Sequence, residues 1–136
     1  MPFKKLIEPL RDILDHLGFS EPLALQKQII SPIKSGSSLF VIAPDNSGKT
    51  TSLVISVIQK LKSPFEDSPR ALIFVKDKEA ALGLEDLFNT FKKGTNLRVY
   101  CAYDEHNIDA QRDEIYDGVD IVIATPKRLN KIFYLN

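Results

Sequence analysis

Apolar side chains along this chain fall into two alternating rhythms. Leu6, Ile7, Leu10, Ile13, Leu14 and Leu17 recur at helical spacing, and Gly18 stands where that helix should stop. Pro22 suits the first turn of a second helix running towards Ser35, with Gly36 after it and Pro32 bending or shortening it. Four short, mainly apolar runs follow: Leu39–Ala43, Ala71–Val75, Leu97–Ala102 and Val119–Ala124. Between them, Lys49–Leu61, Lys78–Phe91 and the shorter, more polar Ile108–Tyr116 show helical periodicity. A last helix opens with Thr125 as N-cap and Pro126 in its first turn. Buried strands alternating with helices predict an α/β fold with a mostly parallel sheet covered on both faces. Ser63–Pro69 reads as a surface loop.

Composition narrows this little. The 136 residues fit one domain, and 43% hydrophobic with 26% charged residues is ordinary for a globular protein. Eighteen basic residues balance eighteen acidic ones, so any nucleic-acid contact must come from a local cluster. Cys101 is the single cysteine, which forbids an internal disulfide and suits a reducing compartment. Its apolar neighbours predict a buried, inert thiol. His16 and His106 lie far apart, without metal-ligand spacing, and read as solvated surface. Charges interrupt the apolar N-terminal run, so neither a secretion signal nor a membrane span is expected, and the location expected is cytoplasmic.

The strongest chemical signal is Ala43-Pro44-Asp45-Asn46-Ser47-Gly48-Lys49-Thr50, directly after a predicted strand and directly before a predicted helix. That context suits a phosphate-binding loop, in which consecutive backbone N–H groups and a helix N-terminus converge on phosphate oxygens. Gly48 permits close approach, Lys49 supplies an ammonium for the β/γ-phosphates, and Thr50 offers its hydroxyl to Mg²⁺ held by ATP. Ala43 stands where the general motif has glycine. The competing reading is a serine-rich turn capping an ordinary helix.

Upstream, Gly18-Phe19 is followed seven residues on by Gln26, a pattern that resembles the Q-motif of the DEAD-box RNA helicases. In that family alanine is usual at the first loop position. The segment 71–81 resembles the one carrying the family's motif Ia. Asp120 to Leu129, with Thr125-Pro126-Lys127-Arg128, resembles motif Ib. The resemblance implies a RecA-like three-layer α/β/α nucleotide-binding lobe over residues 1–136, with 1–36 its helical Q-motif segment. Phe19 would stack on adenine and Gln26 would read its edge, beside Ala43, Pro44, Asp45, Asn46, Ser47, Gly48, Lys49 and Thr50 on the phosphates. Lys76, Lys78, Thr125, Lys127 and Arg128 would face RNA. Plainer readings stand beside these: Phe19 as core, Gln26 as a solvated helix residue, Lys76 and Lys78 as solvated loop, Thr125 as N-cap alone.

The departures bear on RNA more than on ATP. Only Glu79 and Ala81 match motif Ia outright, while Lys78 keeps the charge of its usual arginine. Lys127 takes a usual glycine position, and Asp104-Glu105 replaces a glycine pair. The resemblance also implies an acidic D-E-A-D motif beyond Arg128 and a second RecA-like lobe. Neither lies within these residues, so the expectation for this polypeptide is weak nucleotide binding without turnover, and an interior gap in the sheet. The parent activity implied is RNA-stimulated ATP hydrolysis coupled to unwinding. The alternatives are a non-catalytic P-loop nucleotide- or RNA-binding module and a small P-loop kinase. No oligomeric state is implied.

Overall fold

A computed structural model describes residues 6–19, 36, 49–105 and 107–134 of the chain. They form five helices and three strands: α1 (Glu8–His16), α2 (Lys49–Leu61), β1 (Ala71–Phe74), α3 (Lys78–Phe91), β2 (Val99–Ala102), α4 (Ile108–Asp117), β3 (Ile121–Ala124) and α5 (Pro126–Phe133). The expected helix over 22–35 and the expected strand over 39–43 lie outside the described residues. The chain divides into two compact units, one of residues 1–62 with 90–95, the other of residues 63–89 with 96–136.

In the first unit, α1 ends in a Schellman motif. Gly18 adopts φ +84°, its N–H donates to Asp15 O at 3.0 Å, and the Phe19 N–H donates to Leu14 O at 2.9 Å. These bonds satisfy carbonyls that the last turn would leave open, and glycine takes the left-handed angle without a Cβ penalty. The helix start is held from α2, where Gln59 Oε1 accepts the Ile7 N–H at 2.8 Å. Leu10, Ile13 and Leu14 of α1 and Val54 and Ile58 of α2 are buried, as the periodicity predicts, whereas Leu53, Val57 and Leu61 are only partly buried and Ile55 takes a buried place that the pattern did not assign to it. His16 is exposed, as its polar surroundings imply.

In the second unit the strands form a parallel sheet in the order β1-β3-β2. Leu72 pairs with Val122 on one side of β3, and Tyr100 pairs with Val122 on the other. All four β3 residues are buried, because this strand has a neighbour on each side and cover on each face. Against one face pack Ile108 and Ile115 of α4 and Leu129 and Ile132 of α5. The expectation of cover on both faces fails at β1. Leu72 and Phe74 are 54% and 57% exposed, while Ala71 and Ile73 on the opposite face are partly covered. The apolar run is real, but only one of its faces meets a packing partner among the described residues.

Cys101 is buried, with Sγ 3.4 Å from Ala81 O. Burial, with Glu85 nearby, pushes its thiol pKa up to about 12, so the group stays protonated and inert at neutral pH.

One buried carboxylate joins several segments. Asp120, fully buried before β3, accepts from Arg98 Nε at 3.1 Å, the Arg98 N–H at 2.9 Å, Arg70 Nη2 at 3.0 Å and the Phe65 N–H at 3.2 Å. Burial alone would raise its pKa. The hydrogen bonds from Arg98, Arg70 and Phe65 outweigh that and hold the carboxyl well below the usual carboxylate range. Through these bonds Asp120 anchors the exposed loop 63–69 to the sheet.

Gly118, at the C-cap of α4, lies against this cluster at φ +130°. A Cβ there would meet Arg98 Nη1 at 2.7 Å and Asp67 Oδ1 at 2.9 Å. Gly118→Ala should therefore cost about 1–3 kcal/mol through backbone strain and displacement of Arg98. Urea unfolding checks this, and unchanged stability would show that the cluster yields freely.

Candidate nucleic-acid interface and nucleotide end

Lys49 and Thr50 open α2, which places them at the positive end of a helix dipole. Thr50 is exposed and Lys49 partly so. The donor chemistry fits a Mg²⁺ carried on phosphates, since a hydroxyl at a helix N-terminus can join a metal that phosphate oxygens already hold. Ala43, Pro44, Asp45, Asn46, Ser47 and Gly48, and Gln26, lie outside the described residues. Phe19 is half-buried beside the α1 stop, and its ring packs on Phe91 at 6.3 Å between centroids with a 58° tilt. This packing fits the core role weighed for Phe19, and its half-buried ring does not decide between that role and stacking.

The residues assigned to RNA converge. The start of α3, the loop after β2 and the start of α5 enclose a groove of about 340 Å³, lined by Lys76, Asp77, Lys78, Tyr103, Asp104, Glu105, Thr125, Pro126 and Lys127, so that three lysines stand beside three carboxylates. That volume is at the low end for small-molecule sites. Parallel topology explains the convergence, because every described strand delivers its C-terminal end to the same edge of the sheet.

Thr125 holds the N-cap position of α5 with extended backbone, but its side chain makes no capping bond. The expected N-cap position is therefore found, with the hydroxyl not used for capping. The residue is only 8% exposed, and its Oγ1 has no hydrogen-bond partner among the described residues. A buried hydroxyl without a partner costs about 1–3 kcal/mol, which an anion at this helix end would relieve once a small local movement opened the atom to it. Pro126 in the first turn fixes the helix start and offers no N–H of its own.

Arg128 has a task that sequence reading missed. Its side chain is 11% exposed, with Nε donating to Tyr103 O and Nη2 to Glu105 O, each at 2.9 Å. Gln111, buried in α4, donates Nε2 to the same two carbonyls at 3.1 Å. Arginine and glutamine thus clamp the main chain of residues 103–105 from two helices. A polar residue at an otherwise core-facing helical position was the only signal for Gln111. Asn107, likewise overlooked, caps α4 by accepting from Asp109 N at 2.8 Å and Ala110 N at 3.3 Å.

Lys78 forms an ion pair with Glu105 across the groove, and its ammonium lies 5.7 Å from the centre of the Tyr103 ring. The hydrogen bond to Glu105 raises the Lys78 pKa, which keeps the ammonium charged through the neutral range. Asp104 stands at the rim, 3.6 Å from Arg128 Nε.

Known proteins repeat this sequence and fold. A model of the DEAD/DEAH box helicase family matches residues 23–136. The pre-mRNA-processing ATP-dependent RNA helicase PRP5 of Candida albicans is 35% identical over 129 residues, covering 91% of this chain and 15% of that protein. Its Aspergillus terreus counterpart is 33% identical over 129 residues, covering 92% and 11%. The chain therefore spans well under a fifth of the length of these relatives. Among solved structures, the yeast DEAD-box splicing factor Prp28 matches the fold with a TM-score of 0.85 at 24% identity, over 98% of this chain and 34% of that one. Prp28 from Chaetomium thermophilum, bound to ADP, matches with a TM-score of 0.83 at 25% identity, over 97% and 33%. A family match over most of the sequence, with the RecA-like α/β fold that the solved neighbours share, establishes that the chain belongs to the DEAD/DEAH box helicases.

Proposed function

We propose that this chain is the N-terminal RecA-like lobe of an ATP-dependent RNA helicase, holding ATP at the start of α2 and RNA phosphates in the groove at the start of α5. One observation carries the RNA assignment: the Thr125 hydroxyl, without a partner among the described residues, stands at a helix N-terminus in a groove where Lys76, Lys78 and Lys127 accompany Asp77, Asp104 and Glu105. A helix dipole, a hydroxyl without a partner and lysine side chains together form a site for a string of phosphates rather than for one base. Sequence preference is then weak, as suits a motor that travels along a backbone. Arg128 contributes by holding the loop 103–105 that forms one wall.

At the start of α2, Lys49 and Thr50 would bind the phosphates of ATP and its Mg²⁺, with Gln26 and Phe19 on the adenine. The metal would neutralise phosphate charge. Lys49 supplies a second positive group, and α2 presents its N-terminus. A second RecA-like lobe is the proposed protein partner. PRP5 of Candida albicans is named a pre-mRNA-processing RNA helicase, which makes RNA the favoured nucleic acid here. An intracellular location is part of the same proposal. Among the described residues, no helix is long and apolar enough to cross a membrane.

Fluorescence anisotropy with a labelled single-stranded oligouridylate tests the RNA assignment. Lys127→Ala should weaken binding by about two- to fivefold and reduce the slope of log affinity against log salt by roughly 0.7. Thr125→Val, which keeps the shape and removes the hydroxyl, should weaken binding by about tenfold. Wild-type affinity and slope in both variants would remove RNA from this groove.

A further inference from the structure

We infer that Glu105 is a built-in competitor for nucleic acid, which occupies Lys78 in the free protein and must be displaced before that lysine can take a phosphate. This rests on the proposed RNA groove and adds to it a residue that sets affinity and its salt dependence. Three features support it. The two side chains of the pair are 48% and 47% exposed, so a phosphate arriving from solvent can reach Lys78 and the carboxylate can swing away into water. Among the described residues, Lys78 alone of the three groove lysines carries an ion pair, so one of the three positive charges is neutralised from within. The Glu105 main chain is fixed by Arg128 and Gln111 independently of its side chain. The carboxylate is therefore delivered to Lys78 by a preorganised loop, at little entropic cost.

The consequence is an ion exchange. Wild-type protein gains a Lys78–phosphate contact only by losing the Lys78–Glu105 contact, whereas a protein without the carboxylate gains the first outright. An exposed pair of this kind is worth a modest factor, but the exchange also alters how many counterions binding releases. Salt dependence is thus the more diagnostic readout. A general change in charge near the groove would raise affinity whether or not Lys78 were present; competition for Lys78 would not.

The same anisotropy titration with wild type, Glu105→Gln, Lys78→Ala and the double variant separates the possibilities. Glu105→Gln should bind about two- to fivefold more tightly near 50 mM salt, with a slope steeper by roughly 0.7. The double variant should bind like Lys78→Ala, the gain having vanished with its lysine. Because the clamp uses the Glu105 carbonyl, thermal melts of Glu105→Gln should match wild type; Glu105→Ala serves as a second variant if they do not. An equal gain in the Lys78→Ala background, or no gain at all, overturns the competition. Insensitivity of wild-type binding to Lys127→Ala would instead overturn the groove itself, and the competition with it.

Discussion

Asp120→Asn is expected to lower the stability of the fold by about 3 kcal/mol, the low end of the range for breaking a buried ion pair. The carboxylate is fully buried, but Arg70 and Arg98 are 26% and 32% exposed, and water screens part of the charge left behind. Asparagine keeps the shape. Its amide group, however, turns two hydrogens towards a site already supplied with donors from Arg98, Arg70 and Phe65. Urea unfolding at neutral pH measures the loss. The pH dependence has a definite sign. The folded pKa of Asp120 lies below its unfolded value, so its contribution is fully present above that value, about 3.9, and disappears as the pH falls towards the lower folded pKa. Wild type should therefore lose stability below about pH 4 more steeply than Asp120→Asn. Parallel acid limbs would show that the carboxylate is not what holds loop 63–69 to the sheet.

Lys49→Ala should weaken binding of a fluorescent ATP analogue by about ten- to a hundredfold, the value of one charge-assisted hydrogen bond to phosphate. Lys49 is the first residue of α2 and is half-buried at most, so its removal deletes a charge without opening a cavity. Thr50→Ala should behave differently. Its loss should appear with Mg²⁺ present and fade when the metal is chelated, because the role proposed for the hydroxyl is on the metal. Equal nucleotide affinity in wild type and Lys49→Ala would place the phosphates elsewhere.

The helices were the most legible part of the chain. Lys49–Leu61 and Lys78–Phe91 appear with the bounds their periodicity predicts, and Gly18 stops α1 at the angle only glycine takes easily. Strands were read too long by one or two residues. Leu97 and Val119 are buried without belonging to a strand, since burial and backbone pairing are separate conditions. The parallel sheet followed from strands that are apolar on both sides, yet β1 exposes Leu72 and Phe74. Local pattern reports that a residue wants cover, not whether a partner supplies it.

In the groove, residue types were legible and their pairing was not. The sequence put Lys78 and Arg128 among cations for RNA and noted two carboxylates at 104 and 105. It could not show that Arg128 turns onto the main chain of that acidic loop, or that Glu105 reaches Lys78. Those contacts join positions 23 to 27 residues apart, and only the parallel topology brings them together. A lone aspartate heading the apolar stretch 121–124 was a signal too. A carboxylate beside a buried strand requires partners, and Arg98 and Arg70 are those partners.

Amide chemical-shift mapping during titration with a short single-stranded RNA tests the groove most directly. The largest changes should fall on the first turn of α5 from Lys127 onward, with smaller ones at Lys78 and Glu105 as their ion pair opens. Shifts confined to other surfaces, with residues 125–128 unmoved at saturation, would contradict the assignment of this helix end to nucleic acid.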